Sequence, residues 1–86
     1  MEFEKEYLED LQKLGQRIRE IRTEKNYSQE TLGFKAGLHR NYISNMELAQ
    51  KNPTYTTLLK LSKALDVNII DLLPKEKRKE KNDTDD

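Results

Sequence analysis

Residues 28–48, SQETLGFKAGLHRNYISNMEL, decide the fold of this chain. At helical spacing, Leu32 and Ala36 form one apolar pair in this stretch, and Ile43 and Met46 form a second. Apolar residues three or four positions apart lie on the same face of a helix, so each pair marks the buried face of a short helix. The stretch therefore predicts two short helices in succession.

The residues around the two pairs predict how these helices begin and meet. Ser28 is a good N-cap for the first helix, and Gly37 can adopt the left-handed backbone conformation that ends it sharply. Leu38 then packs inward just after the turn. Gly33 has no side chain that would obstruct a close crossing of the two helices. Two helices joined in this way form a helix-turn-helix.

The second helix, roughly residues 39–48, must turn polar side chains outward if it buries its apolar pair. The candidates for direct contact with bases are Arg40, Asn41, Ser44 and Asn45. Arginine can bind guanine through two hydrogen bonds, asparagine can bind adenine in the same way, and serine can contact either base or phosphate. This face therefore predicts DNA binding through the major groove. An ordinary helical hairpin with a solvated polar surface is the alternative interpretation.

A family resemblance rests on residues within this stretch and on two triplets that follow it. They are Gln29, Leu32, Gly37, Leu38, Ile43, Met46, Glu47, Asn52-Pro53-Thr54 and Thr57-Leu58-Leu59. Over about residues 14–73 the chain resembles the Cro/lambda-repressor (XRE) helix-turn-helix family. Residues 40–44 together with Glu47 are most similar to the controller proteins of restriction-modification systems. The resemblance implies an all-α, five-helix lambda-repressor-like DNA-binding domain, here with an extended first helix.

The resemblance also implies a function and partners. The expected protein is a transcriptional regulator that binds a palindromic operator in double-stranded DNA as a homodimer and controls its own operon and a neighbouring restriction gene. RNA polymerase would be a further partner if the protein activates transcription. A phage-type repressor or an antitoxin subunit would use the same fold. From another class, a helical protein-interaction module without DNA binding remains the rival hypothesis.

The charge distribution favours DNA binding although the chain has no net charge. Residues 14–65 carry nine Lys or Arg against four Glu, a net charge of +5, whereas residues 1–13 and 66–86 are both acidic. The segment with the motif is therefore the basic one, as a phosphate-facing surface requires. The expected phosphate contacts are Arg17, Ser28, Gln29, Lys35, His39, Tyr42, Lys51 and Asn52. The family resemblance further implies an ion pair between Arg22 and Glu47.

A stripe of apolar residues predicts a long first helix over about residues 4–25. Its members are Phe3, Tyr7, Leu11, Leu14, Ile18 and Ile21. Gly15 lies within this helix, where a kink could form. Residues 1–13 precede the family resemblance and form a helical N-terminal extension, whose apolar residues require cover from the same chain or from a second subunit.

The last predicted helix is a candidate dimer interface. Four large apolar residues fall within five positions there: Ile69, Ile70, Leu72 and Leu73. One narrow buried stripe cannot hide all four, so we expect some of them to meet a second copy across a two-fold axis. Cover by Phe3, Tyr7 and Leu8 of the same chain is the alternative interpretation. Residues 74–86 are expected to be a disordered charged tail, because KEKRKEKNDTDD contains no apolar residue.

Composition excludes several other classes of protein. The chain has no cysteine and only one histidine, so we expect no metal site, no cofactor and no catalytic centre. No apolar run approaches the length of a membrane span, and the acidic N-terminus does not resemble a signal peptide, which predicts a cytoplasmic protein. A chain of 86 residues leaves no room for an effector domain, so no small-molecule effector is expected.

Overall fold

The computed structural model describes residues 5–75, and within this range the chain forms five helices and no strand. The helices are α1 (Leu8–Glu24), α2 (Gln29–Ala36), α3 (Arg40–Glu47), α4 (Tyr55–Leu65) and α5 (Ile69–Leu72). The predicted all-α, five-helix arrangement is therefore confirmed. Residues 1–4 and 76–86, which include Phe3 and most of the expected charged tail, lie outside the described residues.

Local sequence sets the ends of the central helices. The Ser28 hydroxyl accepts a hydrogen bond from the Thr31 amide at 2.9 Å and caps α2, and Thr54 caps α4 in the same way. Gly37 ends α2 with φ of 71° and ψ of 33°, the left-handed conformation that its position in the sequence predicts. The turn after it is tight, since the Leu38 amide donates to the Gly33 carbonyl at 2.8 Å.

One core holds the five helices together. It contains both apolar pairs of the helix-turn-helix as well as residues of α1, α4 and α5: Ile18, Ile21, Leu32, Ala36, Ile43, Met46, Leu61, Leu65 and Leu72. Burial of these side chains supplies the main driving force for folding. Because α1 and α4 pack against the motif, the two motif helices are held in one fixed relative orientation.

The first helix differs from the prediction at its start. Residues 5 and 6 are also helical, but the backbone of Tyr7 has φ of −110° and ψ of 20° and interrupts the helix, so α1 begins at Leu8. The extension nevertheless continues the helix N-terminally from Leu14 for about two turns. The helix runs through Gly15 as one continuous element and Gly15 is buried, so this glycine serves close packing rather than a kink.

The short helix α5 also requires a correction. Leu72 was expected among the residues that meet a second copy, but its side chain is fully buried in this chain's own core. It therefore has no exposed surface to contribute to an interface. Ile70 and Leu73 remain 76% and 40% exposed, and Ile69 is half-buried.

Candidate nucleic-acid interface

The recognition face, defined as the outward side of α3, is presented by the packing of the two motif helices. An ideal Cβ at Gly33 would lie 2.5 Å from the Leu38 carbonyl oxygen, so only glycine allows α2 to approach the turn this closely. The inner side of α3 carries Ile43 and Met46, which are 0% and 1% exposed. This burial fixes the rotation of α3 about its own axis and hence which side chains point outward.

The four expected base-contact residues share the recognition face. Arg40 and Asn41 are exposed in the first turn, and Ser44 and Asn45 are partly exposed one turn later. Their accessible groups are a guanidinium, two amides and a hydroxyl, all of which form hydrogen bonds with base edges. An eight-residue helix of this kind fits the width of the major groove of B-form DNA.

A buried carboxylate ties the recognition helix to α1 and α2. Glu47 accepts hydrogen bonds from Arg22 Nε at 2.7 Å and Arg22 Nη2 at 3.1 Å. The two side chains are only 4% and 10% exposed, and Arg22 also donates to the Tyr27 carbonyl oxygen at 2.8 Å. Because a buried charge without a partner is costly, this ion pair fixes the end of α3 relative to α1.

Gln29 joins the same network, although the sequence suggested only a phosphate contact for it. Its side-chain amide donates to Glu47 Oε1 at 3.0 Å, across the junction between the first turn of α2 and the last turn of α3. This bond uses one of the two amide hydrogens and leaves the other for a further acceptor. The Gln29 side chain is therefore held in place by its bond to α3.

Two helix N-termini carry candidate phosphate-contact residues. Ser28 is exposed at the start of α2, where free backbone amides and the positive end of the helix dipole favour an anion. His39 caps α3, and its Nδ1 accepts a hydrogen bond from the Asn41 amide at 3.0 Å. Its ring is exposed, and this bond orients it at the edge of the recognition face.

The remaining phosphate candidates near the motif differ in their surroundings. Lys51 is exposed in the loop after α3, and Tyr42 is half-buried against the core beside the recognition face. Lys35 Nζ lies 5.2 Å from the centre of the Tyr27 ring, a cation–π distance that places this charge beside α2. These three residues are compatible with contacts to the DNA backbone on either side of α3.

The structure does not place Arg17 and Asn52 with the other candidates. Arg17 Nε donates to the Asp71 carbonyl oxygen at 2.9 Å, and its guanidinium also lies 3.6 Å from Glu20, so it faces α5. Asn52 lines a groove together with residues of α1 and the segment after α5. Arg17 is therefore bound to α5, and the exposed Asn52 lies beside the N-terminal part of α1.

Arg19 is a basic residue near α3 that the sequence pattern did not single out. It lines a polar cleft between α1 and the end of α3, together with Gln16, Glu47 and Leu48. Charges on the outer face of a long helix usually indicate only a solvated surface. Its position beside α3 follows from the crossing of the two helices, for which the local sequence carries no signal.

The described residues, 5–75, contain neither a candidate membrane span nor a candidate metal site. No helix in this range is long and apolar enough to cross a bilayer. The same part of the chain contains no cluster of three or more His, Cys, Asp or Glu residues arranged to hold a metal ion.

The fold and the recognition face define a class of protein, and comparison with known proteins identifies it. The family model described as "Helix-turn-helix" matches residues 18–72, which is more than half of the chain. This chain therefore belongs to the helix-turn-helix family. The matched residues include both motif helices, the core of α1, α4 and α5, and the Arg22–Glu47 pair.

Within this family the chain is similar to control proteins of restriction-modification systems. It is 48% identical over 60 residues to the control protein C.BamHI of Bacillus amyloliquefaciens, covering 69% of this chain and 74% of that protein. The crystal structure of the restriction-modification controller protein C.AhdI from Aeromonas hydrophila matches with a TM-score of 0.74 and 48% identity, over 74% of this chain and 97% of that chain.

A third relative has been solved together with DNA. The restriction-modification controller protein C.Esp1396I, as a tetramer in complex with its natural 35 base-pair operator, matches with a TM-score of 0.68 and 37% identity. The match covers 72% of this chain and 82% of that chain. The five-helix fold described above is thus similar to that of a protein that binds an operator.

Proposed function

We propose that this chain is a sequence-specific DNA-binding transcriptional regulator that acts as a homodimer on a palindromic operator, in the manner of a restriction-modification control protein. The observation that carries the proposal is the two-sided character of α3. Its inner side is closed by Ile43 and Met46, whereas its outer side presents only polar and basic groups from Arg40 to Asn45. A partner protein would instead favour apolar or aromatic side chains on this face.

The proposed division of labour follows from the positions of the residues. Arg40, Asn41, Ser44 and Asn45 read base edges. Ser28, Gln29 and Lys51 bind phosphates next to α3, and the Glu47 network keeps α3 at a fixed angle to them. Phosphate contacts set the register of the protein on the duplex, whereas base contacts carry its sequence preference.

Two copies are required because one α3 of eight residues reads only a few base pairs. Two-fold symmetry then predicts half-sites whose centres are about one helical turn apart, roughly 34 Å. The exposed Ile70 and Leu73 lie on α5 and just after it, outside the recognition face, and are the proposed contacts between the copies. The role needs no catalytic step, and it requires the compartment that holds the DNA, which in a bacterial cell is the cytoplasm.

Selection from a random duplex library tests this proposal directly. The purified chain should enrich a palindromic sequence, and the logarithm of its binding constant should fall linearly with the logarithm of salt concentration. A steep salt dependence without enrichment would indicate only non-specific binding. If no sequence were enriched and the binding constant depended only weakly on salt, the proposal would be refuted and a protein-interaction module favoured.

A further inference from the structure

An open groove lies at the N-terminal end of the molecule, away from the recognition face. We call it the N-terminal groove, and it is lined by Tyr7, Asp10, Leu11, Leu14, Asn52, Leu73 and Pro74. Five of these seven residues are apolar or aromatic. Tyr7 is 53% exposed, and Leu8 beside it is 43% exposed, so the first turn of α1 presents apolar surface to the solvent. Such a surface on a small domain marks an interaction site.

We infer that the N-terminal groove receives Ile70 of a second copy of this chain, so that the extension of α1 forms part of the dimer interface. The inference rests on the proposed homodimer and assigns the N-terminal groove to the contact between its two copies. Leu73 connects the two regions, because it lines the groove and also belongs to the exposed apolar surface at α5. The groove and the α5 surface are thus one continuous apolar area.

The area that a stable dimer needs supports this occupant. Specific interfaces bury roughly 800 Å² on each partner. The exposed parts of Ile70 and Leu73, two aliphatic side chains, fall well short of that area. The adjoining apolar surface at Tyr7, Leu8 and Leu11 enlarges the contact. Ile70 is 76% exposed on a single-turn helix, so it projects far enough to enter a groove on another molecule.

The N-terminal groove is largely uncharged, which suits an aliphatic occupant such as Ile70. Asp10 is the one charged residue among those that line it, and Lys75 lines a neighbouring cleft instead. The α3 side chains take no part, which leaves the recognition face free for DNA.

The absence of cysteine from the sequence permits a clean cross-linking test. One preparation carries Tyr7→Cys, another carries Ile70→Cys with a larger affinity tag, and the two are mixed and treated with a short bismaleimide cross-linker. The expected product is a covalent heterodimer that electrophoresis separates from either homodimer. Phe34→Cys replaces Tyr7→Cys in the control, since Phe34 is 87% exposed and lies on α2.

Sedimentation equilibrium provides the second measurement. Tyr7→Ser should raise the dimer dissociation constant by at least about tenfold, whereas Phe34→Ser should leave it unchanged. Circular dichroism checks that both variants remain helical, and serine at residue 7 is a favourable N-cap for α1.

The outcomes separate this inference from the proposed function. A dimeric wild-type protein that cross-links no better through residue 7 than through residue 34, or that tolerates Tyr7→Ser, overturns the inference and leaves the homodimer intact. Loss of thermal stability in Tyr7→Ser without weaker dimerisation likewise overturns it, and indicates that the chain's own first residues cover the groove. A monomeric wild-type protein overturns the homodimer itself.

Discussion

Gly15 of α1 lies directly against the backbone of Met46 in α3: an ideal Cβ at residue 15 would be 2.6 Å from the Met46 carbonyl oxygen. The neighbouring Glu47 carbonyl oxygen would be at 2.7 Å. Both contacts are to backbone atoms, which cannot swing aside as the end of a flexible side chain can. The first helix and the recognition helix therefore cross at a distance that only glycine permits.

Gly15→Ala should destabilise the protein although alanine favours helix by about 1 kcal/mol. The added methyl group forces α1 and α3 apart, and overpacking of this kind costs about 1–3 kcal/mol. The difference is a net loss of up to about 2 kcal/mol in the free energy of unfolding, measured by urea denaturation. Gln16→Ala, at the exposed neighbouring position, is the control and should be neutral or slightly stabilising. Equal stability of the two variants would show that the crossing can relax.

Arg22→Ala should leave the Glu47 carboxylate buried without its cationic partner. Removal of one member of a buried ion pair costs about 3–5 kcal/mol. The Glu47 side chain is only 4% exposed, so its pair with Arg22 is a buried one. The double variant Arg22→Met/Glu47→Leu should lose less unfolding free energy than the single variants Arg22→Met and Glu47→Leu lose together, because it buries no unpaired charge. Additive losses in chemical denaturation would mean that the two residues do not act as a pair.

Ala49→Gly should stabilise the protein. Ala49 follows the end of α3 with φ of 63°, a left-handed conformation that costs alanine about 1 kcal/mol relative to glycine. The amide of Gln50 donates to the Asn45 carbonyl oxygen at 2.7 Å, so the chain reversal itself depends on this conformation. The midpoint temperature of thermal unfolding should rise for Ala49→Gly. It should fall for Ala64→Gly, inside α4, and a fall for both variants would contradict the prediction.

Ser28→Asp should weaken DNA binding while preserving stability. Aspartate caps a helix as well as serine does, so the bond to the Thr31 amide at 2.9 Å has a replacement. The new negative charge repels a phosphate at the start of α2, and affinity for specific and unrelated duplexes should fall alike, by about tenfold at low salt. Asn68→Asp adds the same charge at the start of α5 and should have no effect. Fluorescence anisotropy with labelled duplexes makes the comparison.

Arg40→Ala should weaken preference for the operator more than affinity for DNA in general. Loss of a bidentate contact to guanine removes about 1–3 kcal/mol of discrimination at one base-pair position. Arg40 is exposed, so the unfolding temperature should not change. Competition between operator and scrambled duplexes measures the ratio of the two binding constants. Lys63→Ala on α4 loses the same charge and is the control. An unchanged ratio for Arg40→Ala would remove it from the base-reading set.

The two motif helices could be predicted because their signals are local. The spacing of Leu32 and Ala36, the cap at Ser28 and the glycine at residue 37 all act within one or two turns of chain. Helix α4, Tyr55–Leu65, likewise begins at a local signal, because the Thr54 side chain caps it. The polar side of α3 followed directly from the burial of the opposite side.

The candidate site was less predictable where it depends on packing between distant segments. Arg17 looks like any basic residue near the motif, but it bonds to Asp71, which lies 54 positions further along the chain. Leu72 has the same apolar character as Ile70, yet one is buried and the other projects into solvent. Composition alone does not distinguish two such neighbours on a helix of a single turn.

The sequence by itself thus determined the helices of the motif, their caps and turn, and the polar side of α3, because residues three or four positions apart share a helix face whatever the rest of the chain does. Only the tertiary structure decided the crossing at Gly15, the burial of Leu72, the bond between Gln29 and Glu47, and the groove beside Tyr7. Each of these depends on how closely and at what angle separate helices meet, and that geometry is set by the whole core at once.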